Sequence, residues 1–212
     1  MSTITLEKPL GAADTRVPMP LVWRFATSGL ISAFAMLLVY PAAVVSLAAR
    51  GHTPTEVGLF ALLQPAVMIV LILSLPLTRR FGRVRAVFFG LTAGSVAVAG
   101  FLLTQNYWLW CLFSALVGVQ FAIHWTSVDT VLSENVPKER AGAIIGLYQT
   151  LLAGAVAAGP AVVSAGQLSF ETAALAGLAL LAIAALPNLG AVARRIDSVP
   201  AAAEPRQTGL LA

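Results

Sequence analysis

Side chains able to hold or pass a proton are scarce in this sequence, and the most telling ones lie inside long uncharged stretches. Gln120 and His124 stand four positions apart, and Ser127 follows. At 3.6 residues per helical turn, that spacing puts the three on one face. Tyr40 and Gln64 are two further polar groups set among apolar neighbours. An imidazole can take up or release a proton near neutral pH, whereas amides and hydroxyls offer hydrogen bonds. Two readings stand. In one, the polar stripe lines a water-filled path in which His124 binds a solute or a proton, with Tyr40, Gln64 and Gln120 beside it. In the other, the same groups hydrogen-bond one helix to the next inside a packed bundle.

Other chemistries find little support. The chain has no His-Glu-x-x-His run, no phosphate-cradling glycine loop, and no Ser/His/Asp set with a supporting local pattern. His124 with Asp129 or Glu134 is the nearest approach to an acid–base pair, but the spacings of five and ten residues do not gather them on one turn. The lone Cys111 lies in an apolar run, so it forms no internal disulfide and belongs to no metal-binding cluster. The expectation is a protein that is not an enzyme and holds no metal or cofactor.

The elements that must position these residues follow from composition. Hydrophobic residues make up 58% of the 212 and charged ones 10%, against about a quarter charged in soluble domains. Mean hydropathy is +0.87. A hydrocarbon core about 30 Å thick needs roughly 20 apolar residues per helix. Six uncharged runs of that order occur, at 25–49, 57–78, 86–104, 107–128, 141–170 and 172–193. They predict an all-α membrane fold of six transmembrane helices, with Gly166 and Gln167 ending the fifth early. The first run is too long for the apolar core of a signal peptide. Loops are short, so the expected divisions are an N-terminal tail at 1–22, a bundle at 23–195 and a mobile C-terminal tail at 196–212.

Orientation follows from the basic residues. With six spans, twelve of the thirteen fall on one side: Lys8, Arg16, Arg24, Arg79, Arg80, Arg83, Arg85, Lys138, Arg140, Arg194, Arg195 and Arg206. Arg50 alone falls on the other. Positive loops stay inside, so both termini are expected in the cytoplasm and the protein in the cytoplasmic (inner) membrane. The net charge of +4 is thus a matter of topology, and no nucleic-acid partner is expected. Trp23, Tyr107, Trp108 and Trp110 lie at run ends, where aromatic rings favour the headgroup level. Gly142 and Gly146 have the spacing that lets helices approach closely, which points to tight bundling around the fifth helix. Pro41, Pro65, Pro76, Pro160 and Pro187 fall inside the runs, either as hinges or as static kinks.

Two stretches resemble the major facilitator superfamily of secondary transporters. The loop Leu77-Thr78-Arg79-Arg80-Phe81-Gly82-Arg83-Val84-Arg85 is similar to that family's G-x-x-x-D-R-x-G-R-R signature, through Arg80, Gly82 and Arg83. Leu75 stands at the signature's glycine and Arg79 at its aspartate, which makes Asp129 the candidate acid for a gating salt bridge. The stretch from Val131 through Val136-Pro137 to Arg140-Ala141-Gly142, followed by Gly146-Leu147-Tyr148, resembles the family's segment between helices four and five. Gly159-Pro160 matches the glycine–proline of the fifth-helix motif, and Ser114 stands where the fourth-helix motif has arginine.

The resemblance implies a 3+3 repeat and efflux-like secondary transport of a small solute by alternating access, with helices one and four lining the path. A proton or ion would be the coupling species. Such transporters have twelve helices in two halves related by an axis along the membrane normal. An even number of spans lets a second copy insert the same way up, so a second six-helix half is the expected partner, as a homodimer or a separate chain. The alternatives are a truncated, inactive fragment and a non-transporting subunit or scaffold.

Overall fold

Where a helix begins and ends in this chain is set by backbone caps more than by the limits of apolarity. The computed structural model describes residues 18–73, 83–166 and 168–189. The helices are α1 (Met19–Ala49), α2 (Pro54–Leu73), α3 (Arg83–Leu103), α4 (Tyr107–Asn135), α5 (Ala141–Gly166) and α6 (Phe170–Ala185). Short 3-10 turns at Lys138–Arg140 and Leu186–Asn188 precede α5 and follow α6. Six of these segments are long and apolar enough to cross a membrane, and the described residues contain no strand. Arg79, Arg80, Gly82, Pro76 and the C-terminal tail lie outside the described residues, as does most of the N-terminal tail.

The caps explain the offsets from the uncharged runs. Thr53 and Glu56 form a capping box: the Thr53 N–H donates to Glu56 Oε2 at 2.8 Å, and the Glu56 N–H to Thr53 Oγ1 at 3.3 Å. With Pro54 in the first turn, this starts α2 three residues before the run. Asn106 Oδ1 caps α4 by accepting the Trp108 and Leu109 N–H groups. Ser169 accepts the Thr172 N–H at the start of α6. α1 ends in a Schellman turn: the Gly51 N–H donates to the Ala48 carbonyl and the His52 N–H to that of Leu47. Gly51 has φ of +86°, a conformation that glycine adopts without strain. α4 continues past the uncharged run to Asn135, so Asp129 and Glu134 ride on the helix. A membrane helix tolerates charge at its ends, where side chains reach the interface.

α1 and α4 are the two hubs. α1 packs mainly on α5 and α6, α4 packs mainly on α2 and α3, and α3 also meets α6. Near Arg50 the bundle is closed by rings from five helices, α1, α2, α3, α4 and α6. Phe60 packs near Tyr40, Phe101 and Trp110, and Phe170 near Trp110. The Arg50 guanidinium lies 4.5 Å over the Trp110 ring, a cation–π contact. Trp110 is therefore a core residue and not the headgroup anchor expected from its place in the sequence. Trp108, two positions away and on the opposite face, is 71% exposed.

The glycine expectation needs correction in this chain. Nothing lies within 4 Å of a Cβ built at Gly142, Gly146 or Gly154. Close approach occurs instead at Gly118 against the Gln64 carbonyl, at Gly159 against the Leu37 carbonyl and at Gly177 against Val39. Two of the prolines take part in this packing. Pro65 gives Ala61 no i+4 donor, and the Tyr40 hydroxyl lies 3.2 Å from the Ala61 carbonyl and 3.0 Å from that of Phe60. Pro41 leaves the Leu37 carbonyl free in the same way, and Gly159 packs onto it. Pro187 ends α6 in a 3-10 turn and does not kink it.

Candidate functional site

The polar groups of the interior fall into three sets; two keep unpartnered atoms, Asn188 Oδ1 in one and atoms of Gln120 and His124 in the other, and only the latter residues line a cleft. The first ties α1, α2 and α4 together. The Tyr40 hydroxyl lies 2.8 Å from Ser114 Oγ, and Ser114 donates to the Phe60 carbonyl at 2.8 Å. Tyr40 is thus engaged with carbonyls and a hydroxyl of its own bundle. Gln64 is half-buried on α2, with its backbone carbonyl against Gly118. The second set ties α1 to the end of α6. Ser28 donates to the Ala184 carbonyl at 2.6 Å, and Asn188 Nδ2 donates to Ser28 Oγ at 2.7 Å. Sequence reasoning passed over Ser28 and Asn188. The serine looks innocuous in a helix, and the asparagine lies just past a proline.

The third set is built on α4. Gln120 is 1% exposed and His124 4% exposed. Gln120 Nε2 donates to Ser32 Oγ on α1, which leaves Gln120 Oε1 without a partner. Neither His124 Nδ1 nor His124 Nε2 has one. An unpaired buried polar group costs about 1–3 kcal/mol, so three such atoms within two turns of one helix are an expensive arrangement. Gln120 and His124, with Ser32, line a cleft between α1, α4 and α5, along with Gly29, Ala33, Phe121, Trp125, Tyr148 and Leu152, while the three unpartnered atoms themselves are closed off from water. In this conformation the cleft has room for about one water molecule.

Glycines on two helices keep this geometry open. A Cβ on Gly94 of α3 would lie 2.9 Å from Gln120 Cγ, and one on Gly29 would lie 3.0 Å from the Tyr148 hydroxyl. At 1.5 Å per residue, Gln120 sits about 20 Å from the first residue of α4, close to the middle of its 29 residues. Ser127, the third member of the stripe, donates to the Ile123 carbonyl at 2.6 Å and so turns back on its own helix.

Asp129 lies one turn beyond Trp125, half-buried beside it, and acts electrostatically on Tyr148. Of the arginines expected to pair with it, Arg79 and Arg80 lie outside the described residues. Arg83 opens α3, and Arg85 is exposed. Gly159 and Pro160 sit on α5 at the contact with α1. Ser32 and Tyr148 are the cleft residues the sequence reading left out. Ser28, Gly29 and Ser32 put small residues on one stretch of α1, and Tyr148 follows Gly146-Leu147; neither signal says where these side chains meet. Among the described residues, no group of three or more His, Cys, Asp and Glu side chains is placed to hold a metal ion.

The family model described as Major Facilitator Superfamily matches residues 25–210. No curated protein and no solved structure matches the chain.

Proposed function

Because this chain belongs to the Major Facilitator Superfamily, we propose that it moves a small solute across its membrane by efflux-like secondary transport, with the cleft at Gln120 and His124 as part of the solute path. Membership implies transport of small solutes, and the chain is a multi-pass membrane protein. The observation that carries the finer reading is the set of three unpartnered polar atoms buried halfway along α4, on two residues that line a water-sized cleft. The ties at Tyr40, Ser114 and Ser28 are met within the bundle, and Asn188 Oδ1, also unpartnered, is not among the groups lining this cleft. In alternating access the path is lined by α1 and α4. Tyr40, although bonded within its own bundle, and Gln64 on α2 would border it nearer the Arg50 end. Asp129 with Arg79, Arg80 and Arg83 around Gly82 would act as the gate at the other end, and Gly159-Pro160 would hold α5 against α1.

We infer further that the chain works as half of a transporter, with both termini in the cytoplasm of a cell whose inner membrane it spans. The exchange of partners in the bundle supports a 3+3 repeat: what α1 does with α5 and α6, α4 does with α2 and α3. α2 and α5 are the spans least buried by the rest of the chain. Gly142, Gly146 and Gly154, at intervals of four and eight along α5, face open space. Small residues at such intervals favour close helix association. A second six-helix half, from another copy or a separate chain, is the partner that fits this face.

Flux in proteoliposomes tests the reading. The purified chain, alone or co-reconstituted with its partner half, is expected to move solute down an imposed proton or ion gradient. A correctly folded protein that moves nothing under any gradient would leave the scaffold or fragment reading in its place. Replacing His124 by Ala is expected to change the pH dependence of flux. An unchanged profile would remove His124 as a proton carrier.

A further inference from the structure

We propose that the cleft binds the ammonium head of a protonated amine. This rests on the transport reading above and adds the chemical class of the solute. None of the nine residues that line the cleft is Lys, Arg, Asp or Glu, and the acidic Asp129 lies one turn beyond the lining residue Trp125. With His124 neutral, an ion of either sign is costly in such a low-dielectric site, and Asp129 supplies a counter-charge to a cation alone.

What the lining offers is mostly acceptor capacity. Gln120 spends its donor on Ser32 and presents a bare carbonyl oxygen. A neutral His124 presents one acceptor nitrogen and one N–H, both unpartnered. The Tyr148 hydroxyl oxygen can accept as well. Three aromatic side chains, Phe121, Trp125 and Tyr148, complete the walls, and ring faces attract cations. Asp129, beside Trp125 and acting on Tyr148, puts negative charge at the edge of the same region.

The size agrees. The cleft is the size of an –NH3+ group, and the Gln120 carbonyl and the His124 acceptor, closed off in this conformation, would turn in with the tyrosine oxygen to meet its three donors. The remainder of the amine would extend past Trp125 and Tyr148. A water molecule could also fill the space, but it would leave the rings and Asp129 without a role in recognition.

The test is binding of three probes of equal length to the full chain in zwitterionic lipid nanodiscs, by calorimetry: n-butylammonium, butyramide and n-butyrate. Butylammonium is expected to bind most tightly. Gln120→Leu and Asp129→Asn are each expected to weaken it on the order of tenfold. Asp129 is only half-buried, so Asp129→Asn provides a variant that should fold even if Gln120→Leu does not. Butyrate or butyramide binding as tightly as butylammonium would overturn the ammonium assignment while leaving a solute site in place. Butylammonium binding unchanged in Asp129→Asn would overturn it too, as would no binding by any probe. Solute flux, measured separately, decides the transport reading itself.

Discussion

Gln120 and Tyr40 look alike in the sequence, as polar groups in apolar runs, and the structure separates them. Tyr40 meets a need created by Pro65, because its hydroxyl reaches the carbonyl that the proline leaves without a donor. Tyr40→Phe should therefore destabilise the protein by about 1–2 kcal/mol, read as a lower unfolding temperature in detergent. A variant as stable as the parent would show that the carbonyl finds another donor. Gln120 meets only half of its own needs. Gln120→Leu removes the orphaned oxygen, so stability is expected to hold or rise while transport is lost. A loss of stability of the same size as that of Tyr40→Phe would instead mark Gln120 as a tie between helices. Such opposite movements of stability and activity are common where a site keeps strained or unsatisfied groups for function.

At the scale of the helix, the glycines divide by what faces them. A Cβ at Gly159 meets the Leu37 backbone, which cannot move without shifting α1. Gly159→Ala is expected to cost about 1–3 kcal/mol as overpacking. Gly146→Ala meets nothing in this chain and should leave thermal unfolding of the isolated protein unchanged. Equal effects from the two substitutions would contradict the packing described for α5. The glycine spacing was plain in the sequence, but spacing is the same whether the partner helix lies in this chain or in another. Helix boundaries were legible to within a few residues at the starts of α2 and α3 and along α5, but α1 starts six residues before its run, α6 ends eight short of its own, and α4 runs seven beyond. The charged last turns of α4 looked like a loop because absence of charge marked the limits of the runs. The capping box of Thr53 and Glu56 was equally available in the sequence and would have placed the start of α2.

At the scale of the molecule, the open question is what covers α5. A photo-cross-linking residue placed at Gly146 should give a heavier species on illumination in native membranes, while one at Val96, exposed on α3, should give none. A product of twice the chain mass would identify the second half as another copy, and a different mass a separate chain. No product at Gly146 would mean that lipid covers α5 and that the chain does not pair through this face. Helix-exchange packing around α1 and α4 makes the six helices a closed unit whose two hubs are both central. Breaking the tie at the far end of α6, with Ser28→Ala, should loosen α6 first. It would be seen as faster hydrogen exchange in α6 than in α3.

The number of spans, their approximate limits and the polar face of α4 were fixed by the sequence itself, because bilayer thickness and helical periodicity act on each segment separately. The buried place of Trp110, the tie made by Tyr40 and the isolation of His124 were decided only by tertiary structure. The reason is physical. In a soluble protein the apolar face of a helix marks the inside, but lipid tails are as apolar as leucine. The sequence of a membrane helix therefore says that it is buried in something, and only the packing of the six against one another says in what.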